Sequence, residues 1–123
     1  MKSLVLTLLF LGAVQTYGHA QTAADSVMVT IFLKHQQDKS LKEINAKLDA
    51  NKFHEMFPPK FARVVSWYVM MGIGQVVTLK FPASKLREVN LTLENGAWGA
   101  FDTSFYPTYD YMPVWKSQQN KKP

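Results

Sequence analysis

The chain has no cysteine. No disulfide can staple it and no thiolate can act as nucleophile or metal ligand, so stability must come from a packed core. Histidine is scarce too, three in 123 residues. Only His35 and His54 lie beyond the first twenty positions, and no HxxxH or HExxH spacing occurs. Zinc needs three or four converging ligands, so no metal is expected. There is no G-x-S-x-G and no serine beside a histidine in sequence, which leaves no nucleophile elbow. Gly72-Ile73-Gly74 opens no helix, as a dinucleotide-binding glycine loop must, and reads as a turn. No cofactor is expected.

A dense basic stripe is also missing. The net charge is +5, from 14 basic and 9 acidic residues. Lys34, Lys39, Lys42, Lys47, Lys52 and Lys60 alternate with acids, as on a solvated surface, and only Lys121-Lys122 cluster. Nucleic acid is therefore not an expected partner. Nor is there an apolar run long enough to span a membrane. Leu4–Val14, interrupted by Thr7 and Gly12, rises about 16 Å as a helix, half the hydrocarbon thickness. Lys2 precedes it and Gly18-His19-Ala20 follows, with small residues where a signal peptidase inspects the chain. The expectation is a signal peptide over 1–20 and a single domain over 21–123. The mature protein would be exported, periplasmic or secreted, and free of the membrane after cleavage.

What the chain does have is β-forming sequence. Phe61–Phe81 reads as two strands reversing at Gly72-Ile73-Gly74. On the first arm Val65, Trp67, Val69 and Met71 share one face, and Val64, Tyr68 and Met70 the other. Both faces are largely apolar, which predicts cover on both sides. Ser26–Gln36 is a first strand with Val27, Val29, Ile31 and Leu33 on one face. Ser40 and Glu43 have capping-box spacing, and Leu41, Ile44 and Leu48 form one helical stripe. Pro58-Pro59 ends the segment that follows. A second helix starts near Ser84, with Leu86, Val89 and Leu93 as its stripe, and Gly96 is its expected stop. Asn90-Leu91-Thr92 matches a glycosylation sequon but falls inside that helix, away from the exposed loops where sequons are used. The last strand lies within Ala97–Phe105. Beyond it, Tyr106–Trp115 reads as an extended aromatic arm resting on an apolar surface.

The order strand, helix, strand, strand, helix, strand predicts an α+β, ferredoxin-like βαββαβ fold. It has a four-stranded antiparallel sheet with both helices on one face. The other face would carry Met28, Phe32, Val64, Tyr68, Met70 and Val76. It projects about 380 Å² by strand spacing and length. That matches the largest apolar patch of an ordinary monomer, about 300–600 Å². Dimerisation through the sheet, giving a homodimer, is the expected cover.

With the element order, the hairpin, the helix at Ser84-Lys85-Leu86 and the segment Phe105–Tyr111, the chain resembles the dimeric α+β barrel superfamily. The muconolactone isomerase-like branch is the nearest in these features. The resemblance covers about Val27 to Trp115. It implies two sheets facing each other around an interior, and activities that include isomerases, cofactor-independent monooxygenases and haem-degrading enzymes, beside proteins without known function. No catalytic residue of that superfamily maps onto a position here.

Among the residues themselves, Trp67, Tyr68, Trp98, Tyr106 and Tyr109 are candidates to line an apolar pocket, with Asp110 as a carboxylate beside them. The same aromatics suit a core and a dimer interface equally well. The pocket could lie under the helices or inside a barrel. Asp102 and Asp110 are candidate bases, and Arg63 and Arg87 candidate anchors for an anion. Two functions follow. One is an exported protein binding a small apolar or aromatic ligand, with isomerase-like chemistry if it is an enzyme. The other is a non-catalytic oligomeric or protein-interaction module.

Overall fold

A computed structural model describes residues 25–123, so the expected signal peptide lies outside the described residues. The elements are β1 (Ser26–His35), α1 (Leu41–Ala50), α2 (Phe53–Met56), β2 (Arg63–Met70), β3 (Gly74–Pro82), α3 (Leu86–Gly96), β4 (Phe101–Thr108) and α4 (Met112–Gln119), with a 3₁₀ turn over Ala83–Lys85. The strands form one sheet in the order β2-β3-β1-β4. Every neighbouring pair is antiparallel. This is the expected βαββαβ arrangement, with β3 between β1 and β2, extended by a further helix at the end.

The core lies between one face of the sheet and the first three helices. Val29, Ile31 and Leu33 of β1 and Val77, Leu79 and Phe81 of β3 supply the sheet side. Ile44 and Leu48 of α1, Phe53 of α2, and Val89 and Leu93 of α3 supply the helical side. Leu41 and Leu86, the first residues of their helices, stay exposed, so each predicted stripe is buried only from its second member on.

Both bonds of the capping box form. The Glu43 amide donates to the Ser40 hydroxyl at 3.2 Å and the Ser40 amide to the Glu43 carboxylate at 3.1 Å. Ser40→Ala is expected to cost about 1 kcal/mol. In a domain of this size that lowers the thermal midpoint by about 4–8 °C. A differential scan of the two proteins checks it, and an unchanged midpoint contradicts it. The sequon sits inside α3 as expected. The Asn90 amide donates to Glu94 at 3.0 Å and the Thr92 hydroxyl to the Glu88 carbonyl at 2.8 Å.

Three local expectations are corrected. Gly96 is the last residue of α3, and the left-handed position falls instead on Gly99, φ +86°. The register of β2 shifts between Val64 and Ser66, a β-bulge. Val64 therefore faces the helices opposite Leu79, and Val65 takes the place expected for it on the other side. The aromatic arm is not extended throughout. Tyr106–Thr108 belong to β4, and Met112–Gln119 form a helix with proline in its first turn. An Asp110 carboxylate oxygen accepts from the Met112 amide at 2.9 Å and so satisfies a donor at that helix start.

Candidate functional site

Because cross-strand partners share a face, the register fixes what the sheet presents on the side away from α1–α3. Four rungs run from β2 through β3 and β1 to β4. The first is Arg63, Lys80, Met28 and Thr108. The second is Ser66, Thr78, Thr30 and Tyr106. The third is Tyr68, Val76, Phe32 and Ser104, and the fourth Met70, Gly74, Lys34 and Asp102. The face thus grades from a cationic end, through a row of hydroxyls, to an aromatic and apolar band, and closes with Lys34 opposite Asp102 beside Met70.

The hydroxyl row is a directed hydrogen-bond chain. Thr108 donates to the Tyr106 carbonyl at 3.0 Å. Each hydroxyl has one proton, so Thr108 must accept from Thr30 at 2.7 Å, and Thr30 from Thr78 at 3.0 Å. This satisfies Thr78, which is buried in the middle of the sheet. It also leaves Thr78 with only a lone pair to offer anything above it.

A cleft of about 610 Å³ lies over the first two rungs. Arg63 and Lys80 stand on its wall with Ser66 and Thr78, Met28 and Val65 give it apolar surface, and Tyr109 and Asp110 close the β4 end. The volume falls within the range of small-molecule sites, about 300–1,000 Å³. Among the described residues neither the Arg63 nor the Lys80 side chain has a hydrogen-bond or ion-pair partner, and Asp110 uses one oxygen on the Met112 amide. No group of three or more histidine, aspartate or glutamate side chains able to hold a metal occurs among the described residues. No helix among them is long and apolar enough to cross a membrane.

The six candidate residues divide between places. Tyr109 and Asp110 line this cleft. Tyr68 and Tyr106 lie on the same face beside it. Tyr68 is 70% exposed, and Tyr106 sets its ring edge-on to Phe32 with centroids 6.0 Å apart. Trp67 is on the helical side, opposite Val77. Its indole N–H donates to Gln75 at 2.7 Å and its ring meets Phe57 edge-on at 5.6 Å. Trp98 sits in the turn between α3 and β4. Its indole N–H donates to Thr103 at 3.1 Å and its carbonyl accepts from the Asn51 amide at 3.1 Å. It lines a second depression of about 320 Å³ with Gln36 and Asp102. Of the two arginines weighed from sequence, Arg63 reaches the larger cleft, whereas Arg87 is on exposed α3. Lys80 and Thr78 were not singled out by sequence. The signal for them is the polar alternation Thr78, Lys80 between Val77, Leu79 and Phe81.

No protein-family profile matches the chain, and no curated protein does. A solved structure, the crystal structure of PH0061, is similar in fold at 12% identity and a TM-score of 0.47. The match covers 71% of this chain and 54% of that one, so the matched part is about half of PH0061.

Proposed function

We propose that this is an exported, homodimeric α+β barrel protein that binds a small ligand with an apolar or aromatic body, and that the cleft over the first two rungs is its site. The observation that carries this reading is where the cleft lies: on the sheet face that its own helices leave uncovered. A second copy laid on that face would cover Tyr68, Met70 and Phe32 and roof the cleft, turning an open depression into an enclosed site. Kinship with the muconolactone isomerase-like branch belongs to this proposal. If the site turns its ligand over without a cofactor, Asp110 is the carboxylate placed to move a proton, with Tyr109 beside it.

The test is a thermal-shift panel of aromatic acids and lactones on residues 21–123. A ligand at about a hundredfold over its dissociation constant adds about 2.7 kcal/mol to stability, a readily measured rise in midpoint. The expected result is a rise with at least one class of compound. A flat response across a broad panel contradicts the ligand reading.

A second reading, a non-catalytic assembly module, draws on α4. No residue of that helix is buried, and Tyr111, Met112, Val114 and Trp115 all expose apolar surface. Such a helix on a chain with an open sheet face suits self-association by itself.

A further inference from the structure

We infer that the ligand of this cleft is a small organic acid whose carboxylate sits between Arg63 and Lys80; this rests on the cleft being a ligand site. Arg63 of β2 and Lys80 of β3 are directly opposed across the strand pair, on the same face. Like charges in that relation destabilise a sheet. Elsewhere on this face the sequence avoids the problem, since Lys34 is opposed by Asp102. At the first rung no carboxylate answers. Among the described residues neither cation has a partner, and the acid nearest in the cleft, Asp110, holds the start of α4. Lys80 is half-buried and Arg63 exposed, so water screens the pair from the Arg63 side and only in part from that of Lys80. An anion between them would remove the repulsion and satisfy both groups. A guanidinium and an ammonium at one end of a cleft fit the two oxygens of a carboxylate.

The rest of the wall says what the acid carries. Met28 and Val65 offer apolar contact to its body. Thr78 has committed its proton to Thr30 and can only accept, and Asp110 accepts as well. A hydroxyl on the ligand, some way from its carboxylate, has one proton and would donate it to one of the two. Free phosphate fits less well. The cleft wall is formed by strands and the segment after β4, and the helix start beside it, that of α4, already has its Met112 amide taken by Asp110 rather than free for a tetrahedral anion.

Titration calorimetry of residues 21–123 with 6-hydroxy-2-naphthoate, with its neutral carboxamide and with inorganic phosphate tests this. The expected result is binding of the acid, at least tenfold weaker binding of the carboxamide, and weak binding of phosphate. Arg63→Gln and Lys80→Gln should each weaken the acid about tenfold or more, the loss expected for a charged hydrogen bond. Lys80→Arg should keep most of the affinity, and Arg87→Gln, away from the cleft, should keep all of it. Circular dichroism on each variant separates lost binding from lost folding. Acid and carboxamide binding alike, or the Arg63 and Lys80 variants binding like the parent, would overturn the carboxylate while leaving the site standing. Phosphate binding as tightly as the acid would overturn the organic acid. No binding of any probe would overturn both the acid and the ligand site beneath it.

Discussion

Replacing Gly74 by alanine should destabilise the protein by about 2–6 kcal/mol, whereas alanine at Gly72, two residues earlier in the same turn, should cost about 1–2 kcal/mol. Both glycines have positive φ, +81° at Gly72 and +146° at Gly74. Their surroundings differ. A Cβ on Gly72 would meet open space. One on Gly74 would fall on the carbonyl oxygen of Leu33 and lie 3.0 Å from the amide nitrogen of His35. Those are backbone atoms of β1, the neighbouring central strand, and that His35 amide donates to the Ile73 carbonyl at 2.9 Å. No side chain can rotate to make room, so the β1–β3 ladder itself would have to shift. Urea denaturation of the two variants separates the cases. Equal and small losses at both positions would mean that β3 does not approach β1 as closely as described.

Tyr68→Glu should raise the dimer dissociation constant at least a hundredfold while leaving the fold of one chain intact. Tyr68 is on the third rung of the open face and 70% exposed in the single chain, so glutamate there meets water and costs little. If two sheets face each other, each copy buries the new carboxylate against the other's Val76 and Phe32 band. In a twofold interface the charge enters twice. An uncompensated buried charge costs several kcal/mol, a large share of the roughly 8 kcal/mol behind a micromolar dimer. Val65→Glu is a weaker version of the same test, since Val65 borders the cleft rather than the apolar band. Light scattering over a dilution series reads both variants. A Tyr68→Glu protein that dimerises like the parent would place the interface elsewhere, with α4 the first surface to examine.

The sheet and its core were largely legible in the sequence because they rest on short-range patterns. Val27, Val29, Ile31 and Leu33 alternate, Ser40 and Glu43 carry the helix start, and two prolines and several glycines punctuate the rest. The misreadings have physical causes. In Val64-Val65-Ser66 nothing marks an extra residue, since bulges need no glycine. That single slip exchanges the faces of Val64 and Val65. Tyr106–Trp115 reads as extended in the sequence, but Pro113 is at home in a helix's first turn, and Asp110 holds that turn closed. The site was half legible. Tyr109 and Asp110 were named together because they are adjacent in sequence. The cationic pair was not, because Arg63 and Lys80 become neighbours only through strand register across the hairpin. Trp67 and Trp98 stand out in the sequence as large aromatics, and the fold hydrogen-bonds both, Trp67 against Phe57 on the helical side and Trp98 in the turn before β4.

Sedimentation velocity of residues 21–123 at micromolar concentration asks most directly whether another copy of the chain shields the open sheet face. A single boundary at twice the chain mass, moved to the monomer position by Tyr68→Glu, is the predicted outcome. A stable, soluble monomer at that concentration would contradict it, and the enclosed site would go with it.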